Sequence, residues 1–377
     1  MAQPEKTSIS EQINKCQYIL TQVAKERLRH TILIVDDEED NLQLLKRTLR
    51  RDYNILTAPD GHQALDILSK EGKNISLILS DQRMPNMTGT EFLSKTVNLY
   101  PNIIRMLLTG YSDVDAMIDG VNKCGLFQYM TKPFNPEELK DVVKSGINAY
   151  ELTASKKALL FDLRELFFTT IKSISSALDA KDTYTHGHSL RVTLFSLIIC
   201  KELNLDEEFT GEIETAGLLH DIGKIGVPEN ILCKPGKLTD EEFNIVKLHP
   251  ERGKKILNGI KRLSEVAFWL NSHHERWDGY GYPQKLKGED IPLAARILAI
   301  ADTYDAMTSD RSYRKGLPHE TALAEIKRCA GSQFDSNIVD AFVKVENIVR
   351  SATKEPEKYY EEYSIMNKIL SKEEDLL

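Results

Sequence analysis

ILIVDD, residues 32–37, decides the reading of the first third of this chain. It is a short, continuously apolar run that stops at two acids, which suits a strand buried on both faces. The same theme recurs further along. NILTA (54–58), SLILS (76–80), IIRMLLTG (103–110) and FQYM (127–130) are strand-like. LLKRTL (44–49), GHQALDILSK (61–70), the stretch around Leu93 and Val97, Asp113–Val121 and Glu137–Ala149 have helical spacing. Short strands alternating with helices predict βαβ units and an α/β fold, with a five-stranded, parallel, doubly wound sheet within residues 30–150.

In such a sheet, ligands bind outside the carboxyl ends of the strands. Asp36 and Asp37 follow the first strand and Asp81 the third; Thr109 follows the fourth, and Lys132 with Pro133 the fifth. Three converging carboxylates repel one another unless a hard cation lies among them, and oxygen-only ligands select Mg²⁺ or Mn²⁺. A lysine and a hydroxyl at the same edge suit a phosphoryl group. A single loop acid would carry no such meaning. The strings ILIVDDEEDNL (32–42), LILSDQRMPNMTG (77–89), MLLTGY (106–111) and YMTKPF (129–134) resemble the receiver domain of bacterial response regulators. The resemblance implies that Asp81 is the phosphoacceptor and that Asp36, Asp37 and Asp81 bind Mg²⁺. It implies Thr109 as the switch hydroxyl, Lys132 as the phosphate-contacting lysine, Tyr129 as the aromatic switch residue, and a sensor histidine kinase as partner.

Residues 1–29 read as a polar, helical lead-in with Ile9, Ile13, Ile19, Leu20 and Val23 on its apolar side. After Pro136 there is no proline and only one glycine as far as Asp179, while apolar residues from Leu139 to Leu178 recur at helical spacing. This reads either as one long helix able to pack on its twin in a homodimer, or as the last receiver helix followed by a linker or first helix at 151–180. Beyond 180 strand signals nearly vanish, so a mostly α domain is expected over 181–350. Residues 351–377 carry seven acids and four bases and read as a solvated, partly helical tail.

Six of the nine histidines lie between residues 186 and 274. HDIGKIG (220–226) puts His220 beside Asp221, and on a helix Lys224 shares their face. His188, His249, the pair His273–His274 and Asp302 complete a metal-ligand set. Adjacent helical histidines point about 100° apart and suit two neighbouring metals better than one. Nitrogen and oxygen ligands without thiolate fit Fe, Mn, Ni or Zn, with octahedral geometry favouring Fe or Mn. Two metals roughly 3.5–4 Å apart clamp the attacking and leaving oxygens of a phosphoryl displacement. His30, His62 and His319 read as ordinary core or surface histidines, and His186 is undecided. HHERWDGYGYP (273–283) needs an irregular loop, with Tyr282 and Trp277 as candidate pocket walls. Asp302 and Asp305 are spaced i, i+3, as are Arg311 and Arg314, two arginines that suit a phosphodiester or guanine.

LLHDIGKIGVPENILCKPGKLTDEE (218–242), KLHPERG (247–253), the HHERWDGYGYP loop, IPLAARILAIADTYDAMTSDRSYRK (291–315) and AGSQFD (330–335) resemble the HD-GYP domain of the HD phosphohydrolases. The resemblance implies hydrolysis of cyclic di-GMP to pGpG, and often onward to GMP, at a dinuclear centre. It implies His188, His220, Asp221, His249, His273, His274 and Asp302 as metal ligands and Asp221 and Lys224 in catalysis. Lys224, Tyr282, Asp305, Arg311 and Arg314 fall on the substrate side. Some members bind a third metal through a carboxylate one turn before the first histidine. Here Tyr184 stands at that position, so two metals are expected. The alternatives are a catalytically weak domain that senses cyclic di-GMP or docks a protein, and a phosphodiesterase for another cyclic dinucleotide.

Composition narrows the classes further. A net charge of −8 argues against bulk binding to DNA or an anionic membrane. The longest nearly apolar stretches, Val192–Cys200 and Ile291–Ala301, fall short of the roughly 20 residues of a membrane span. The polar N-terminus has no signal core, so a cytoplasmic protein is expected. Five cysteines without a C-x-x-C pair argue against a disulfide framework or a thiolate zinc site.

Overall fold

The computed structural model describes residues 29–110, 124–181, 187–310 and 315–374. The chain divides into two compact units between Leu159 and Leu160. The first contains β1 (Thr31–Val35), α1 (Glu39–Leu49), β2 (Asn54–Ala58), α2 (Gly61–Glu71), β3 (Ile75–Asp81), α3 (Gly89–Thr96), β4 (Ile104–Gly110), β5 (Gln128–Lys132) and the start of α4 (Pro136–Lys181). The strands form one parallel sheet in the order β2-β1-β3-β4-β5. All seven residues of β3 are buried, because helices cover both faces. Leu42, Leu45, Leu139 and Val143 from α1 and α4 pack on one face, and Leu68, Phe92 and Leu93 from α2 and α3 on the other. The expected helix at Asp113–Val121 lies outside the described residues, as do residues 1–28, Tyr184, His186, Arg311 and Arg314.

Asp81 and Lys132 are the last residues of their strands, and Thr109 lies within β4, one position inside the expected edge. Gly89 lets the start of α3 sit against this edge. A Cβ there would be 2.1 Å from the Asp81 carbonyl oxygen, which no side chain tolerates.

Of the two readings of 136–181, the structure has the single helix. α4 runs for 46 residues, through the boundary expected at 150 and up to the one expected at 180. Leu152, Leu159, Leu163 and Leu166 are exposed along it.

The second unit comprises the rest of α4 with α5 (His188–Glu202), α6 (Glu207–Leu219), a 3-10 turn (Ile222–Gly226), α7 (Glu229–Leu232), α8 (Asp240–Val246), α9 (His249–Leu257), α10 (Ser264–Ser272), α11 (Leu293–Thr308), α12 (His319–Arg328), α13 (Ser336–Lys344), α14 (Glu346–Ala352), α15 (Pro356–Tyr363) and α16 (Ile365–Glu374). Among the described residues its only β feature is an isolated bridge between Ala330 and Phe334. α5 is buried nearly all round, as expected of the central helix of an α-helical domain.

The expectation of a solvated tail at 351–377 is corrected. Tyr360 and Tyr363 are buried in the core of this unit. The Glu214 carboxylate of α6 accepts hydrogen bonds from Tyr360 Oη (2.7 Å), Ser364 Oγ (2.5 Å), Ile365 N (3.0 Å) and Met366 N (3.1 Å). Four donors compensate a buried charge, and two of them are amides at the start of α16, where a helix favours an anion. The acids counted in the tail, such as Glu361 and Glu362, face outward.

Candidate phosphoacceptor pocket and metal centre

The carboxyl edge of the sheet collects what the alternation predicts. Asp36 and Asp81 are buried, and the Lys132 ammonium contacts the Asp81 carboxylate and lies 3.0 Å from Asp36 Oδ2. Thr109 is buried at the same end, whereas Asp37 and Tyr129 are exposed. Burial pushes the Asp81 carboxyl up, against the pull of Lys132.

The second site is built from helix ends. HDIGK was expected on one helix. Instead α6 stops at Leu219, His220 caps it, and Asp221 opens the 3-10 turn. Gly223 makes this possible, since a Cβ there would lie 1.8 Å from the His249 carbonyl oxygen. That close approach sets the turn carrying Asp221 against the start of α9.

Three histidines share one device. His220, His249 and His273 each stand at or just past a helix C-terminus, where the last carbonyls lack an intrahelical partner. Each donates Nδ1–H to the carbonyl three residues back: Gly217 O (2.7 Å), Val246 O (2.9 Å) and Leu270 O (2.5 Å). His188 Nδ1 is bound instead by Asp305 Oδ2 at 2.7 Å. The Nε2 atoms of His220, His249 and His273 therefore present lone pairs inward, while Asp305 raises the pKa of His188 despite its burial. His188 Nε2 and His220 Nε2 lie 3.2 Å apart, and His249 Nε2 and His273 Nε2 3.4 Å apart. The lone pairs of neutral His249 and His273 cannot hydrogen-bond each other. Nitrogens about 3 Å apart are instead what two ligands on one first-row ion present, given bonds of about 2.0–2.1 Å.

Two clusters of convergent ligand atoms result: His188, His220 and Asp302, and His249, His273 and His274. This corrects the expectation for the adjacent pair, because His273 and His274 lie past the end of α10 and converge on the same cluster. Asp221 stands between the clusters. Its Oδ2 is 3.4 Å from His220 Nε2 and 3.7 Å from His188 Nε2, while Oδ1 is 3.3 Å from His249 Nε2. Burial alone would raise its pKa, but Lys224, His220 and His249 together hold it well below the usual carboxylate range. Burial pushes His249 down to about 4, and His273 and His274 well below their ordinary value, so all three stay in the neutral, ligating form. Buried, neutral imidazoles with carboxylates and no thiolate fit a pair of divalent transition metals.

Lys224 Nζ lies 2.6 Å from Asp221 Oδ2. The Tyr282 ring lies against His274, with centroids 5.0 Å apart. Asp305 is corrected from the substrate side to a supporting position. It is 1% exposed and accepts from His188 Nδ1 and from Arg191 Nε (2.5 Å) and Nη2 (3.1 Å). Trp277 does not join the wall formed by Tyr282; the Arg296 guanidinium covers its ring. Sequence reasoning missed Arg191 and Glu275. Glu275 Oε1 accepts from the backbone N–H of Gln284 (2.6 Å) and Lys285 (3.0 Å), which pins the loop carrying Tyr282. Its place directly after His273–His274 was the available signal. His30 and His319, read as ordinary, are hydrogen-bonded to Ser76 and Glu151, and to Tyr304 and Glu346.

The family comparisons match this architecture. Residues 32–144 match the model of the response regulator receiver domain, and residues 172–338 that of the HD domain. A cyclic di-GMP phosphodiesterase of Thermotoga maritima is 34% identical over 343 residues, covering 84% of this chain and 90% of that protein. The cyclic di-GMP phosphodiesterase response regulator RpfG of Xanthomonas campestris is 33% identical, over 85% of this chain and 89% of that one. A 3'3'-cGAMP-specific phosphodiesterase of Vibrio cholerae is 38% identical over 214 residues, 55% of this chain and 41% of that protein. Among the described residues no helix is long and apolar enough to cross a membrane. With a parallel receiver sheet, a helical histidine–aspartate unit and two relatives matched over about nine-tenths of their length, the chain belongs to the response regulators that join a receiver domain to an HD-GYP domain.

Proposed function

We propose that this protein is a phosphorylation-controlled phosphodiesterase that hydrolyses cyclic di-GMP to pGpG. The observation that carries the reading is Asp221, whose two oxygens face two separate histidine clusters. His188, His220 and Asp302 would hold one divalent ion, His249, His273 and His274 a second, and Asp221 both, with Fe or Mn favoured over Ni or Zn. When bound, such a pair supplies charge stabilisation and an activated water for phosphoryl displacement. The chain's own residues do the rest. Asp305 and the three helix-end carbonyls keep the protons on Nδ1 and orient Nε2 inward. Lys224 Nζ, 2.6 Å from Asp221 Oδ2, would stabilise charge or help protonate the leaving oxygen. Glu275 holds the loop that sets Tyr282 beside His274. Asp81, with Asp36, Asp37, Mg²⁺ and Lys132, accepts phosphate from a sensor histidine kinase.

Turnover of cyclic di-GMP by anaerobically purified, Mn²⁺- or Fe²⁺-loaded protein tests the reading. Nucleotide binding without any hydrolysis in a metal-replete sample would replace it with a sensor. Exposed Leu152, Leu159, Leu163 and Leu166 further support a homodimer through α4. Light scattering of a Leu159→Glu, Leu166→Glu variant is expected to report half the wild-type mass; an unchanged mass removes this interface.

A further inference from the structure

A cavity of about 290 Å³ opens beside the histidine centre, and its lining includes His273, His274, Tyr282, Phe243 and Lys247. Phe243 comes from α8 and Lys247 caps it. The Lys247 ammonium sits 4.6 Å from the Phe243 ring centroid and 5.6 Å from that of Tyr282. α8 is held in place by the Thr239–Glu242 capping box and by Lys234, whose Nζ is 2.6 Å from Glu242. The volume is at the bottom of the roughly 300–1,000 Å³ range of small-molecule pockets, enough for one base of a dinucleotide and too small for all of it. Aromatic walls stack on any base. The lysine does not treat bases alike. It has donors and no acceptor, so it can satisfy O6 and N7 of guanine, whereas adenine presents an amino donor in place of O6.

We propose that Phe243, Tyr282 and Lys247 form a guanine subsite beside the histidine centre, in which Lys247 determines specificity for guanine over adenine. This rests on the cyclic dinucleotide reading above and deepens it. Cyclic di-GMP offers this one-base subsite a guanine in either orientation and cyclic di-AMP offers none, so a guanine-reading lysine is the kind of group that would separate them.

The test compares the full chain with Lys247→Met, Lys247→Gln and Phe243→Ala, each checked for fold by circular dichroism and for metal content. Two quantities are read: kcat/KM for cyclic di-GMP and cyclic di-AMP, and calorimetric Kd for GMP and AMP. The wild type is expected to prefer the guanine ligand in both. Lys247→Met and Lys247→Gln should each lose about ten-fold or more of that preference, mainly through KM and Kd, in line with a lost donor pair to a guanine edge. Phe243→Ala should weaken GMP and AMP alike. A wild-type enzyme with no guanine preference, or either lysine variant retaining the wild-type ratio, overturns the subsite. A wild type that hydrolyses neither dinucleotide defeats the functional reading instead, and the GMP against AMP affinities then decide the subsite alone.

Discussion

Asp81 and Asp221 are both buried carboxylates with a lysine against them, and their surroundings push them in opposite directions. At Asp81 burial prevails, helped by the neighbouring charge of Asp36, and the charged form is disfavoured. At Asp221 burial is overcome by Lys224, His220 and His249, and the charged form is held. A lysine contact therefore does not by itself decide the state of a buried acid. What decides it is the balance among the remaining neighbours, which at Asp81 add another carboxylate, Asp36, and at Asp221 add histidines. The same difference separates the ions the two places suit. The receiver edge offers oxygen alone and selects a hard cation, whereas the second centre offers mostly nitrogen and selects a transition metal.

The largest expected effect breaks this contrast at its centre. Asp221→Ala removes the one group that faces both clusters, so each loses a ligand and the two ions lose a screening charge. Elemental analysis of folded protein should fall well below one metal per chain, and cyclic di-GMP turnover should drop by more than about 100-fold. His274→Ala, which touches one cluster, should keep roughly one metal and be equally inactive. If Asp221→Ala kept two metals and near-normal turnover, the shared-carboxylate reading would be wrong.

A smaller effect is expected at Asp305, which acts on the centre only through His188. Asp305→Ala frees the His188 ring and leaves the Arg191 guanidinium without the carboxylate that binds its Nε and Nη2. Metal affinity should fall about 10–100-fold, the usual cost of losing a partner behind a ligating histidine. Asp305→Asn keeps an oxygen for Nδ1 and should recover much of it. Equal losses in the two variants would assign the role to charge rather than to orientation.

The two sites also differed in how far they could be read from sequence. The receiver pocket was legible to within a residue, because a parallel sheet puts the residue after each strand at the same edge. Asp36, Asp81, Thr109 and Lys132 therefore follow from strand ends alone. The identities of the histidine ligands were legible as a cluster of residue types, but their geometry was not. HDIGK does not continue as a helix because Gly223 is needed for backbone contact with His249, and no local pattern announces a contact between residues 26 positions apart. Asp305 was misplaced for a related reason. Its spacing from Asp302 puts both acids on one helix face, yet Arg191 and His188, more than 100 residues earlier, take its two oxygens. The tail was misread because charge counting ignores which face the charges occupy, and Tyr360, Tyr363 and Ser364 carry its attachment.

The smallest expected effect is a null one at the metal centre, and it tests whether the two sites are separable. Asp81 belongs to the first compact unit, and all the candidate ligands of the histidine centre belong to the second. Asp81→Asn keeps the shape of the side chain but removes the charge that Lys132 contacts and the oxygen that would take up phosphate. Incubation with Mg²⁺ and acetyl phosphate should add a phosphoryl mass to the wild type and none to the variant. Transition-metal content should be the same in both, within the error of elemental analysis. An adduct that persisted in Asp81→Asn would move the phosphoacceptor elsewhere. Loss of Fe or Mn in the variant would mean that the receiver pocket contributes to the second centre, and the contrast between an oxygen site and a nitrogen site would no longer describe two independent places in the chain.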